Sequence, residues 1–138
     1  MKTGRTTSRI RRMAVNTNAA PAPGGHYSQA ISSDGHIYVS GSGPFDPTTH
    51  EITGDTIESQ TQQTLKNIES ILKAAGASLK DVVKVTVYLR DMRQFDTMDK
   101  AYKTFFPEDP PARTTVEVGL HNPQRLIAVD AEAVKQDS

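Results

Sequence analysis

The chain has 138 residues, enough for one domain with a proper core, and 16 basic residues balance 16 acidic ones to a net charge of zero. That balance argues against a nucleic-acid module, whose binding face carries a basic excess, and removes one colloidal reason to stay monomeric. Without cysteine, disulfides, thiolate metal sites and cysteine nucleophiles are excluded, and no apolar run approaches the ~18 residues that span a bilayer.

Met1 to Arg12 holds Lys2, Arg5, Arg9, Arg11 and Arg12 and no acid. This is the composition of a mitochondrial transit segment, but the stretch lacks the apolar face of an amphipathic helix. It is read as a flexible basic extension over residues 1–13, ahead of a single domain over 14–138 in a cytoplasmic protein. Ala19 to Gly25 then forms a turn-rich lead-in.

Two runs, Tyr27 to Ser32 and His36 to Ser40, flank Ser33-Asp34-Gly35, and Asp-Gly between such runs signals a hairpin. Gly41-Ser42-Gly43-Pro44-Phe45-Asp46-Pro47 must be a loop. Asp55 is a plausible N-cap for a helix starting at Thr56, with Glu58 completing a box-like start. Ile57, Leu65, Ile68, Ile71, Leu72 and Ala75, joined by Thr61 and Thr64, repeat with helical period up to a stop at Gly76.

The β-branched run Val82 to Leu89 is a strand buried on at least one face. A second helix is expected from about Phe95 to Phe106, ended by Pro107. Strands follow at Arg113–Val118 and Leu126–Val134, separated by a His121-Asn122-Pro123 turn. The order ββαβαββ implies an α+β layer with both helices packed on one face of a single sheet. In the last strand Ile127, Val129, Ala131 and Ala133 alternate with Ala128, Asp130, Glu132 and Val134, so the other face is part polar and part small. That face is a candidate for self-association.

Pro110 and Pro111 fix φ and remove backbone donors just before Arg113, so this arginine sits on a stiff backbone at a strand mouth. Its guanidinium fork matches a carboxylate bidentately. A surface arginine covering apolar neighbours would explain the same segment.

Other chemistries fall away. Gly41-Ser42-Gly43 lacks the third glycine and helix start of a phosphate cradle. His26, His36, His50 and His121 have no metal-ligand spacing. No nucleophile-elbow pattern accompanies the serines. What remains is Tyr27 opening the first hairpin strand, Ser40-Gly41 closing the second, and Arg113-Thr114-Thr115 opening a later one.

These residues lie in segments that resemble a known family. Gly25-His26-Tyr27-Ser28-Gln29-Ala30, Ile37-Tyr38-Val39-Ser40-Gly41, Gln63-Thr64-Leu65-Lys66-Asn67-Ile68, Ala74-Ala75-Gly76-Ala77-Ser78-Leu79, Asp81 to Val87 and Pro111-Ala112-Arg113 are together similar to the Rid (YjgF-type) reactive-intermediate deaminases, from about Ala14 to Val134. The resemblance implies a chorismate-mutase-like α+β fold, one mixed sheet with two helices on one face, assembled as a homotrimer with sites in the clefts between subunits. It also implies hydrolysis of 2-imino acids or their 2-aminoacrylate tautomers to 2-keto acids and ammonia without a cofactor or metal. Partners would be a small 2-imino or 2-keto carboxylate and further copies of the chain, with no nucleic acid or membrane.

Carried over by residue, the resemblance gives Arg113 the substrate carboxylate and makes Tyr27 a pocket wall. Ser40 and Gly41 supply polar and backbone contacts, and Thr115 a backbone N–H. The family's water-orienting glutamate has no clear counterpart. The ungapped match, which is preferred, puts Ala128 there; a two-residue insertion around His121–Gln124 would bring Asp130 to the position, and strand alternation does not separate the two. Ser42 and Asp99 stand where the family often has glutamine and asparagine. With Ala128 in place, the chain becomes a weak catalyst or a small-carboxylate-binding regulatory trimer. A different hydrolase or lyase on the same scaffold is a third reading.

Overall fold

The computed structural model describes residues 12–136. Its elements are β1 (Arg12–Val15), β2 (Ala30–Ser33), β3 (His36–Ser42), α1 (Ile57–Ala74), β4 (Val82–Leu89), α2 (Phe95–Lys103), β5 (Ala112–Glu117) and β6 (Ile127–Val134). They form one six-stranded sheet in the order β1-β2-β3-β6-β4-β5. All neighbours are antiparallel except β4 and β5, which run parallel across the α2 crossover.

The helix-facing side of the sheet is a continuous apolar row. Ile37, Val39, Val85, Val87, Leu89, Ile127, Val129, Ala131 and Ala133 are buried there against Leu65, Ile68, Ile71 and Leu72 of α1 and Met98 of α2. Each large aliphatic side chain removed from water contributes roughly 1.5–3 kcal/mol. The opposite side carries Tyr38, Lys84, Thr86, Tyr88, Asp130 and Glu132, and Tyr38 is 48% exposed. The α+β layer with one helix-free face is therefore present as expected.

The element ends shift for identifiable reasons. Thr56, not Asp55, caps α1, its Oγ1 accepting from the Ser59 backbone N–H at 3.1 Å. The second helix ends at Lys103, short of Phe106, because Thr104 to Phe106 tighten into turn hydrogen bonds before Pro107. The first hairpin strand starts at Ala30 rather than Tyr27. Tyr27 sits in a bend, with its N–H bonded to Gly25 O at 3.0 Å and its hydroxyl accepting from the Gly24 N–H at 3.2 Å. An extra strand, β1, begins at Arg12, two residues ahead of the expected domain start; the rest of the expected basic extension, residues 1–11, lies outside the described residues. Among the described residues no helix is long and apolar enough to cross a membrane.

Candidate functional site

At one end of β3 the ladder breaks. Val39 pairs with Ala131 and Ser42 with Val129, so Ser40 and Gly41 stand opposite Asp130 alone. Two residues against one is a β-bulge, a device that re-aims a strand end. Here the bulge turns Ser40 and Gly41 toward a cavity of about 720 Å³. Tyr27, Ser40, Gly41, Ser42, Gly43, Phe45, His50, Asn67, His121 and Arg125 line it, together with the Pro21–Gly25 segment. Tyr27 and Ser40 also border a shallower depression beside His26 and Ile31.

Buried amides hold the loops around this cavity. Asn67 donates to Gly43 O and Phe45 O, both at 2.9 Å. Gln60 donates to Gly54 O and Gln124 O and accepts from the Leu126 N–H at 2.8 Å. Gln29 does the same for Thr17, Ala20 and Pro21. The Ser40 hydroxyl donates to Ser28 O at 2.6 Å. A buried amide satisfied on both ends fixes its loops, because breaking it strands a polar group without water. Sequence reading gave the amides Gln29, Gln60 and Asn67 no such role, although Gln60 and Asn67, seven apart on the stripe that continues to Ile71, carry the signal.

Arg113 lies elsewhere. It is the second residue of β5, opposite Val85, and therefore faces the helices. Its Nη1 donates to Asp99 Oδ1 at 2.6 Å, and its Cζ lies 4.6 Å from the Tyr102 ring centre and 5.4 Å from that of Phe95. The left-handed turn at Asp109 (φ 45°) and the two prolines after it deliver the chain to this edge strand. Thr115 is two residues along β5. Strands β6 and β4 separate β5 from β3, so about 14 Å of sheet divides Arg113 from Ser40 and Gly41.

Asp130 projects from the helix-free face and accepts the Tyr88 hydroxyl at 2.7 Å. That bond, more than partial burial, raises the Tyr88 pKa. Ala128 is on the same face, opposite Tyr88 and 7% exposed. Within one chain, then, Tyr27, Ser40 and Gly41 share a cavity, Asp130 adjoins their bulge from the next strand, and Arg113 with Thr115 occupies the far edge.

The Tyr102 hydroxyl under Arg113 is buried with no hydrogen-bond partner. Burial pushes its pKa up to about 12, against the pull of the Arg113 charge. An unfolded tyrosine ionises near pH 10, so between pH ~10 and ~12 the unfolded state loses a proton that the folded state keeps, and stability falls as pH rises. Urea unfolding should show wild type losing more stability than Tyr102→Phe across that range, by roughly 1–3 kcal/mol. At pH 8 the phenylalanine variant should be equal or slightly more stable, since it gives up no bond; parallel pH profiles would refute the assignment.

A mixed sheet under two helices, with a bulged strand end opening on a cavity of mixed polar and apolar lining, defines a small α+β protein with one candidate ligand site at that strand end. Residues 17–135 match the family described as endoribonuclease L-PSP. A RutC family protein of Pyrococcus horikoshii is 48% identical over 122 residues, covering 88% of this chain and 97% of its own. A mouse protein named 2-iminobutanoate/2-iminopropanoate deaminase is 39% identical, covering 93% and 95%. Among solved structures, RidA of an Antarctic Psychrobacter superposes with a TM-score of 0.85 at 34% identity, covering 88% of this chain and 98% of that one. The chain belongs to the YjgF/RutC/Rid family and has its chorismate-mutase-like fold.

Proposed function

We propose that this protein hydrolyses 2-imino carboxylic acids, or the 2-aminoacrylate tautomers that give rise to them, to 2-keto acids and ammonia. Water adds across the C=N bond, its oxygen to carbon and a proton to nitrogen. The carbinolamine then expels ammonia as the C=O bond forms, so one water is consumed per ammonia and no electrons are transferred. The task for the protein is positioning. Arg113 clamps the carboxylate, helped by backbone N–H groups of Thr115 and Gly41; Ser40 and Tyr27 border the imine, and Asp130 orients the water.

The observation that carries this reading is the convergence of Tyr27, Ser40 and Gly41 on one cavity, in a chain with relatives named for imine deamination. Because Arg113 lies three strands away in the same subunit, the reading needs a homotrimer in which β5 of one copy closes the cavity of the next. Sedimentation at micromolar concentration should give about three times the 15.1 kDa chain mass. In the same preparation, lactate dehydrogenase-coupled pyruvate release from enzymatically generated 2-aminoacrylate should exceed the buffer rate. A monomer removes the shared site, and a rate equal to buffer removes the catalysis.

The Ala128 methyl group, where family spacing puts a glutamate, favours a second reading: a regulatory trimer that binds small carboxylates. Buffer-level turnover combined with Arg113-dependent calorimetric binding of 2-oxobutyrate would select it.

A further inference from the structure

The cavity that holds Tyr27, Ser40 and Gly41 contains an arginine of its own. Arg125 crosses its wall with Nε donating to Ile127 O at 3.0 Å and Cζ lying 5.5 Å from the Phe45 ring centre. Among the described residues its two terminal nitrogens have no hydrogen-bond partner, it forms no ion pair, and no aspartate or glutamate lines the cavity. The other ionisable groups on that wall are Tyr27, His50 and His121. Burial lowers the Arg125 pKa, the direction expected for a cation removed from water without a counter-charge. A guanidinium nevertheless remains protonated, so its charge stands in the cavity unanswered.

The surroundings are built around this side chain. A Cβ on Gly43 would lie 2.8 Å from Arg125 Cζ and 2.9 Å from its Nε, so the glycine makes room for the guanidinium. Asn67 pins that glycine through its carbonyl. The backbone of Arg125 is fixed on both sides: Arg90 Nε donates to Arg125 O at 2.7 Å, and Gln60 holds Gln124 O and the Leu126 N–H. Arg90 Nη2 also ties down Leu120 O and Asn122 O of the same loop. A cation held this firmly, with its outer donors free, is preorganised for an anion.

We infer that Arg125 is a second anion subsite and that the preferred substrates are 2-imino dicarboxylic acids of four or five carbons, with the side-chain carboxylate on Arg125. This rests on the proposed imine hydrolysis, in which Arg113 takes the carboxylate common to all substrates. The cavity is large enough for the longer acids, and its wall offers the distal carboxylate a charge-assisted fork, with Ser42 and the two histidines as further polar neighbours.

The test compares imines generated in place by amino-acid oxidases: 2-iminoglutarate from D-glutamate and 2-iminobutanoate from 2-aminobutyrate. Hydrolysis is read as loss of semicarbazide-trapped product. Wild type should favour the dicarboxylate, and Arg125→Met should lower the ratio of dicarboxylate to monocarboxylate kcat/KM by at least ~10-fold, while Arg125→Lys retains part of it. An unchanged ratio, or equal losses on both imines in a variant of normal Tm, overturns the subsite. If wild type accelerates neither imine, the deaminase reading fails and calorimetry decides the subsite. Binding of 2-oxoglutarate over 2-oxobutyrate in wild type, lost in Arg125→Met, supports it; equal binding of both overturns it.

Discussion

Arg113→Ala is expected to lower kcat/KM for 2-aminoacrylate hydrolysis by about 100-fold. Charge-assisted hydrogen bonds contribute roughly 1.5–3 kcal/mol, and 2.7 kcal/mol corresponds to two orders of magnitude. Arg113→Lys should fall between, because an ammonium keeps the charge but not the bidentate fork. The ion pair with Asp99 sets the sign of a companion experiment. Asp99 already occupies Nη1 at 2.6 Å and its side chain is 47% exposed, so the pair adds little stability while competing with a substrate carboxylate for the same donor. Asp99→Asn should therefore lower KM with little change in Tm. A purely structural Arg113, held for its packing on Tyr102 and Phe95, predicts the opposite pattern: Arg113→Ala lowers Tm with no effect on KM, and Asp99→Asn leaves kinetics untouched. The coupled pyruvate assay and thermal melts of the three variants separate the two.

The periodic parts of this chain were legible. The stripe Ile57, Thr61, Thr64, Leu65, Ile68, Ile71 and Leu72 is buried as its spacing requires, and the alternation in β6 puts Ile127, Val129 and Ala131 against the helices. The Pro110-Pro111 corner likewise gives an edge strand, where the missing donors cost no ladder bonds. The candidate cavity was legible only where it is local. Ser40 and Gly41 reach the cavity through the β3 bulge and Tyr27 from the bend just ahead of the same hairpin, whereas Arg113 is separated from them by a sheet order that depends on long-range pairing. Arg125 was missed because nothing in Gln124-Arg125-Leu126 distinguishes it from a loop arginine. That no acid among the described residues lines its cavity emerges only when α1, the Gly43 turn and the 120–125 loop close around it. The β1 strand was missed for a related reason: Arg12 and Met13 read as part of a basic tail until Ser33 and Ser32 are seen beside them.

The second large effect concerns Asp130, the acid proposed to handle water. In the β3–β6 ladder Asp130 is the residue facing Ser40 and Gly41, while Ala128 lies beyond the Ser42–Val129 pair, opposite Tyr88. Ser40 alternates with Val39, so it tends toward the helix-free side from which Asp130 projects. The Tyr88 hydroxyl fixes one carboxylate oxygen and, with its pKa raised chiefly by that bond, stays a donor through the neutral range; the second oxygen is left for a water. Asp130→Asn should accordingly reduce kcat by about 100-fold, at the lower end of what general acid–base catalysis contributes, without weakening calorimetric binding of 2-oxobutyrate. The Tyr88 hydroxyl can still donate to the asparagine carbonyl, so the fold should be retained. Tyr88→Phe should cost much less, because it loosens the carboxylate without removing it. In the Asp130→Asn background Ala128→Glu should restore nothing, since its side chain starts beside Tyr88 rather than at the bulge. A kcat unmoved by Asp130→Asn but raised by Ala128→Glu in otherwise wild-type protein would put the water on the other side of Val129, and leave the native chain a carboxylate binder with little catalysis of its own.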